Sequence, residues 1–305
     1  MTTLLDIITN TAFDPTRTMA LQNAFIRDMK RRFNELKSVI VEAIVKQDCL
    51  GLNDISTAQL VPPGNRAFSF LRDPQKIEAF MRWLKIQEDR GLISTGTLNQ
   101  VGFAIERAWT DMYVLDSYKR GIMRARYELR KSRKRIPSLE ATGGILASLS
   151  LPIHLDRVGV LFTRVFSDLT GITSQMDTII SRILAQGIIE GDGPRLLARK
   201  ILAAIDGTDI GSLGLTDTLG RYITPQRRAI TLARTEIIRA HHLATIQEYR
   251  NWGVLGVHVM AEWSTAGDDR VCAECMALEG KIFTLDQIEP MIPLHPNCRC
   301  LALPA

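Results

Sequence analysis

Apolar residues recur every three or four positions along most of the chain, the spacing of a buried helical stripe. Leu21, Phe25, Met29, Phe33, Leu36 and Ile40 form the first stripe. Asp14-Pro15 precedes it, with an acidic cap and then proline at the first helical position. A loop is expected over 51–64, where Pro62-Pro63-Gly64 is the strongest breaker. Asp73-Pro74 repeats the start signal, Ile77, Phe80, Met81 and Leu84 follow, and Gly91 is the stop. A third helix is expected over about 103–133, through Met112, Tyr113, Tyr118, Ile122, Ala125 and Leu129. Ile136-Pro137 and Gly143-Gly144 mark a break. Leu155, Val158, Leu161, Phe162, Val165 and Leu169 make the next stripe, with Gly171 as its end. Ser174 and Asp177 match a capping box ahead of Ile179, Ile180, Ile183 and Leu184. Pro194 starts a short helix through Ile205, and 206–220 reads as a glycine-rich flexible connection. Thr224-Pro225 opens a long helix to about Asn251, with Gly253 as stop.

Beyond Gly253 the period falls to two. Val257, Val259, Ala261 and Trp263 alternate with His258, Met260 and Glu262, which predicts a strand. Lys281-Ile282-Phe283 and Cys300-Leu301-Ala302-Leu303 are further short strands. The expected fold class is α+β: a predominantly α-helical N-terminal two thirds, then a long helix packed on a short antiparallel sheet. The expected organisation is a helical domain over 1–140, a helical linking region over 141–220, and a C-terminal module over 221–305.

Composition adds exclusions. With 46% hydrophobic and 23% charged residues among 305, the chain is of ordinary globular make-up, neither collagen-like nor low-complexity. The longest uncharged apolar stretch, Ala141 to Leu155, carries Gly143, Gly144 and Pro152 and is short of the roughly 20 residues a span needs. A membrane partner is therefore not expected. The N-terminus has no basic n-region and Asp6 interrupts any apolar core, so no secretory signal is read. A reducing cytoplasm is the expected setting, where cysteine pairs serve metals or redox chemistry more often than permanent disulfides.

Cys49 stands alone and is read as a small, partly buried thiol. The other cysteines cluster in Cys272-Ala273-Glu274-Cys275 and His295-Pro296-Asn297-Cys298-Arg299-Cys300. Zinc takes four sulfur or nitrogen ligands in a tetrahedron, and a C-x-x-C turn presents two thiolates from one knuckle. The expected ligands are Cys272, Cys275 and Cys298, with His295 or Cys300 as the fourth; two disulfides are the alternative. A closed, thiolate-rich site has no open position for water, so the expected Zn2+ is structural. A thioredoxin-like role is not expected, because no βαβ pattern precedes the C-x-x-C.

Around these residues the pattern becomes specific. Ala233-Arg234-Thr235-Glu236 lies on a predicted helix. Trp263-Ser264-Thr265, Asp268-Asp269-Arg270-Val271-Cys272, Leu278-Glu279-Gly280-Lys281-Ile282-Phe283, Pro293 and the His295–Cys300 run follow. Together they resemble the phage Mu F-like head morphogenesis domain of minor head proteins in tailed bacteriophages, over about the last 85 residues. The resemblance implies a minor capsid protein acting in prohead assembly at the portal vertex. The portal and other head proteins are then its partners, first in the host cytoplasm and then in the virion head. From their chemistry, Arg234, Glu236, Asp269 and Arg270 are read as a structural clamp. An Arg234 or Arg270 pair with Glu236 or Asp269 would tie helix to cysteine loop. Trp263 is read as a core residue whose N–H needs a partner.

Enzyme readings are weaker. Arg234-Thr235-Glu236 faintly resembles motifs of ADP-ribosyltransferases, which also need a downstream Glu-x-Glu or Gln-x-Glu; the reading is set aside on that count. His241-His242 beside the cysteines suggests a nuclease, but adjacent helical residues point about 100° apart and cannot readily share a ligand position. One of the pair is expected to be exposed and the other partly buried. His154 and His258 are read as surface or satisfied core residues. No phosphate loop, nucleophile elbow or H-E-x-x-H is present, and no enzyme is expected.

The charge is local. Lys119, Arg120, Arg124, Arg126, Arg130, Lys131, Arg133, Lys134 and Arg135 face only Glu128, a net +8 that leaves −3 for the rest of a +5 chain. Lys119, Arg126, Arg130 and Arg133 are expected to share a helical face and contact an anion, either an acidic protein or DNA.

Overall fold

The computed structural model describes residues 14–53, 73–100, 103–207, 216 and 222–305. Within them the chain forms α1 (Met19–Val41), α2 (Asp73–Gly91), β1 (Thr95–Gln100), β2 (Phe103–Ala108), α3 (Asp111–Lys131), α4 (Gly144–Leu149), α5 (Pro152–Glu190), α6 (Pro194–Asp206) and α7 (Pro225–Val254). The C-terminal elements are β3 (Ala261–Ser264), α8 (Ala273–Met276), β4 (Ile282–Phe283), α9 (Leu285–Ile288) and β5 (Leu301–Pro304). The fold is thus predominantly helical with a small C-terminal antiparallel sheet, ordered β4-β3-β5. Ala261 pairs with Phe283 on one side of β3, and Ser264 with Leu301 on the other.

The chain divides into two compact units, each drawn from separate segments. One comprises Met1–Ile26, Thr110–Val165 and Thr231–Ala305. Its core has two parts. Val114, Tyr118 and Ile122 of α3 pack with Val158, Leu161 and Val165 of α5 and Ala240 and Ala244 of α7. Ala125, Leu129, Tyr249 and Trp252 pack with Trp263, Ala302 and the cysteines. The α3–α7 crossing is close because Gly121 has no side chain: a Cβ there would sit 2.3 Å from the His241 carbonyl oxygen. Ser117 Oγ donates to Ile237 O at 2.6 Å, and Thr245 Oγ1 donates across the same crossing to Gly121 O at 3.3 Å.

The other unit comprises Arg27–Trp109 and Phe166–Ile230. Met29, Phe33, Leu36 and Ile40 of α1, Phe80 and Leu84 of α2, and Ile172, Met176 and Ile180 of α5 are buried in it. The first two stripes read from sequence are therefore core faces.

Several elements differ from the sequence reading, among them α7, which runs through the expected stop at Gly253 to Val254, and α4, which forms where Gly143-Gly144 was expected to break the chain. Helix α1 begins at Met19, because Arg17 takes a left-handed φ of 56° and the Asp14 carboxylate instead accepts from Thr18 N and Met19 N. The expected third helix starts only at Asp111; ahead of it β1 and β2 pair antiparallel, Thr95 opposite Ala108 and Gln100 opposite Phe103. Thr95, Thr97, Phe103 and Ile105 favour strand geometry, and they outweigh the helical spacing read there. Gly171 does not end a helix: α5 runs through it for 39 residues. A helical glycine costs about 1 kcal/mol, less than the burial of Ile172, Met176 and Ile180 repays. Ser174 accordingly does not cap but donates to Thr170 O at 3.0 Å. The strand expected from Val257 begins at Ala261. Most of the expected 51–64 loop and 206–220 connection lie outside the described residues.

Candidate metal centre

Five sulfur and nitrogen donors meet beside the small sheet. Helix α8 is a single turn, capped by the Cys272 sulfur accepting from Cys275 N at 3.3 Å. That is the C-x-x-C knuckle. On the facing loop, Cys298 N donates to His295 O and Asn297 adopts φ 61°, a tight turn that asparagine tolerates. The turn brings His295 Nε2 to 3.2 Å from both Cys272 Sγ and Cys275 Sγ. His295 Nδ1–H donates to Pro296 O at 2.9 Å, which leaves the Nε2 lone pair facing the thiols.

The donors form two triads: Cys272, Cys275 and His295, and Cys275, Cys298 and Cys300, with each set's ligand atoms within 4.8 Å of one another. Cys275 belongs to both. In tetrahedral zinc, a sulfur–nitrogen edge spans about 3.6 Å given bond lengths near 2.0–2.3 Å, close to the 3.2 Å seen. The donor chemistry therefore fits zinc. Cys275, Cys298 and Cys300 are buried; Cys272 and His295 are half-buried. All the cysteines carry free thiols, so the disulfide alternative does not describe this structure. Cys49 is fully buried, more than the partial burial expected of it.

The electrostatics split the thiols: Cys272 and Cys298 are favoured as thiolates, whereas Cys275 and Cys300 are held as thiols. The Cys275 N–H holds the Cys272 thiol below its ordinary range. The Cys300 thiol, donating to Cys298, keeps Cys298 down at about 5 and is itself pushed well above the usual thiol range by the same contact. Burial pushes Cys275 up to about 12. Burial opposes charge on His295, but the Pro296 carbonyl and the neighbouring sulfurs outweigh it.

The expected clamp residues are present, with different pairings. Asp268, rather than Asp269, joins the two cysteine loops: Arg299 grips it with both terminal nitrogens, at 2.8 and 2.5 Å, and Arg270 adds a contact at 2.7 Å. Asp268 is almost enclosed, and Arg299 holds its carboxyl below the usual range. The fork of the arginine matches the carboxylate bidentately. Neither Asp268 nor Arg299 stood out in sequence, where consecutive aspartates are indistinguishable. Arg234 reaches Asn297 Oδ1 at 3.5 Å, and Thr235 Oγ1 accepts from Asn297 N at 3.1 Å. These contacts tie α7 to the His295 loop. Glu236 is buried and pairs with Arg239 at 3.0 Å and Arg164 at 3.3 Å. Trp263 is wholly buried in the core, but its Nε1 has no hydrogen-bond partner among the described residues.

Both His241 and His242 are buried, against the expectation that one would be exposed. His242 Nε2 donates to Ile288 O, which draws it inward. His154 is a satisfied core residue, between Tyr118 Oη at 2.8 Å and Asn251 at 3.1 Å, and His258 is exposed. Setting aside the ADP-ribosyltransferase reading for want of a Gln-x-Glu overlooks Gln287-Ile288-Glu289, which has the spacing. The structure commits both side chains elsewhere. Gln287 completes a capping box with Thr284, and Glu289 pairs with Arg157 and Arg250 at 2.5 and 2.7 Å.

The basic segment is split. Arg126, expected on an exposed face, is buried against Glu248 at 2.6 Å and lies over the Trp252 ring. Arg124 is paired with Glu128 at 2.6 Å and Arg120 with Asp116 at 3.0 Å. Among the described residues, no helix is long and apolar enough to cross a membrane.

No curated protein and no solved structure matches the chain. A family model does, over less than half of the chain but reaching further upstream than the C-terminal motifs alone. Residues 178–303, which include the whole Cys/His cluster, match the family described as Phage Mu protein F like protein.

Proposed function

We propose that the chain is a structural minor head protein of a tailed bacteriophage, acting in head morphogenesis and associated with the portal vertex. The family match over 178–303 carries this reading. The site supports it, since its donors are thiols and one imidazole packed against each other and buried side chains, an arrangement suited to holding a fold together. Cys272, Cys275 and His295, with Cys298 or Cys300, would hold a structural Zn2+. Bound there, the ion would crosslink the two loops and supply folding energy that a three-strand sheet lacks. The chain's own groups prepare that shell: Pro296 O fixes the His295 ring, and Asp268 with Arg299 and Arg270 keeps the loops in register.

The partners on this reading are the portal and other head proteins, met in the host cytoplasm and retained in the virion head. The test is head assembly with and without the chain. Its omission should leave proheads lacking or mispositioning other vertex components, as read by sedimentation and particle composition. Normal, infectious particles without it would refute the proposal.

A further inference from the structure

The nine cations of 119–135 fall into two sets. Arg120, Arg124 and Arg126 are held by Asp116, Glu128 and Glu248. Lys119, Arg130, Lys131, Arg133, Lys134 and Arg135 make no ion pair with a described carboxylate. Arg130, Lys131, Arg133 and Arg135 are exposed, and the other two are half-buried. The last five gather in a small volume. Helix α3 ends at Lys131, Arg133 turns the chain at φ 61°, and Lys134 N closes back on Leu129 O at 3.0 Å. Lys119 lies on the same face eleven residues before Arg130, about 16 Å back along the helix, with exposed Met123 between them and Arg126 buried.

A helix C-terminus attracts a cation by about 0.3–1 kcal/mol. That accounts for one or two, not for five within six residues with no acid between them. A protein partner is expected to meet an apolar centre with charge at its rim, whereas residues 130–135 are five cations and one serine. Closely spaced Lys and Arg without an apolar centre instead fit a run of phosphates, which lie about 3.4 Å apart along the axis on each strand. Tyr127, the nearest exposed aromatic, is flanked by Arg17 and Arg124 at 5.4 and 6.0 Å and is not free to stack on a base.

We propose that Arg130, Lys131, Arg133, Lys134 and Arg135, with Lys119 along the same helix, form a contact surface for the phosphate backbone of duplex nucleic acid, without sequence readout. This goes beyond the assembly role and does not depend on the metal centre. The test is fluorescence anisotropy of the full chain with a labelled duplex of about 30 base pairs, titrated between about 50 and about 200 mM salt. The expected slope of log affinity against log salt is about −4.5 to −5.5, for five or six phosphates neutralised. Lys131→Ala/Arg133→Ala, at exposed positions, should reduce that slope by about 2. Arg27→Ala/Lys30→Ala, exposed cations on α1, should leave it unchanged. An unchanged slope in the first variant, or no duplex binding at low salt, would overturn the proposal. So would tighter binding to polyglutamate than to duplex at equal salt, which would assign the surface to an acidic protein.

Discussion

Glu88 of α2 is fully buried and faces Asp177 of α5, with Lys85 3.6 Å away. Burial, then the neighbouring Asp177 carboxylate, pushes Glu88 up to about 9 from 4.5. The fold therefore binds a proton that the unfolded chain releases. This contribution is complete below about pH 4.5 and is lost as pH rises towards 9, at up to about 1.4 kcal/mol per pH unit. Glu88→Gln should raise the melting temperature at pH 8 and change it little at pH 4.5. An equal effect at both pH values would contradict the argument. The buried histidines act on the acid side. Burial lowers His241 to about 3 and His242 to about 4, from 6.5. The unfolded chain then takes up protons that the fold excludes. Stability is complete above about pH 6.5 and falls by up to about 2 kcal/mol per ring by pH 5. His242→Gln should shrink the difference between denaturation midpoints at pH 7 and pH 5. At the metal centre, Cys275 belongs to both triads, so Cys275→Ser should abolish metal retention after dialysis. Stoichiometric metal in that variant, by elemental analysis, would show that the site is not built as described.

Among the elements, the α3–α7 crossing is the tightest contact that a substitution can probe. A Cβ at Gly121 would lie 2.3 Å from the His241 carbonyl oxygen and 2.7 Å from Ala244 Cβ, so the helices would have to separate. Gly121→Ala should cost about 1–3 kcal/mol by overpacking, seen as a lowered midpoint in urea. A stability gain, as expected from helix propensity alone, would contradict the close crossing. Elements were legible in sequence where a clear start signal stood at their head, as Asp73-Pro74 for α2, Pro194 for α6 and Thr224-Pro225 for α7, although α7 runs past the expected stop at Gly253 to Val254. They were not where a local signal competed with burial. Gly171 and the Ser174–Asp177 spacing signalled a helix end and start, but the stripe through Ile172, Met176 and Ile180 is buried and keeps α5 continuous. The pairing of β1 with β2 was missed because the helical reading of α3 was carried back to Phe103, past the period-two spacing of Phe103 and Ile105 that marks a strand.

At the scale of the molecule, the donor cluster was readable because cysteine and histidine spacing survives without tertiary information. What joins the loops was not: Asp268 gripping Arg299 depends on residues 31 positions apart, and nothing local separates Asp268 from Asp269. The split of the basic segment was equally hidden, since only the packed fold shows that Glu248 neutralises Arg126. The proposed role as a structural part of a phage head is put to the test by co-purifying the chain with candidate head proteins and determining the mass of the assembly. The expected result is a stable complex whose mass equals a portal or other head oligomer plus whole copies of this chain. A chain that elutes alone in the presence of every head protein would contradict it.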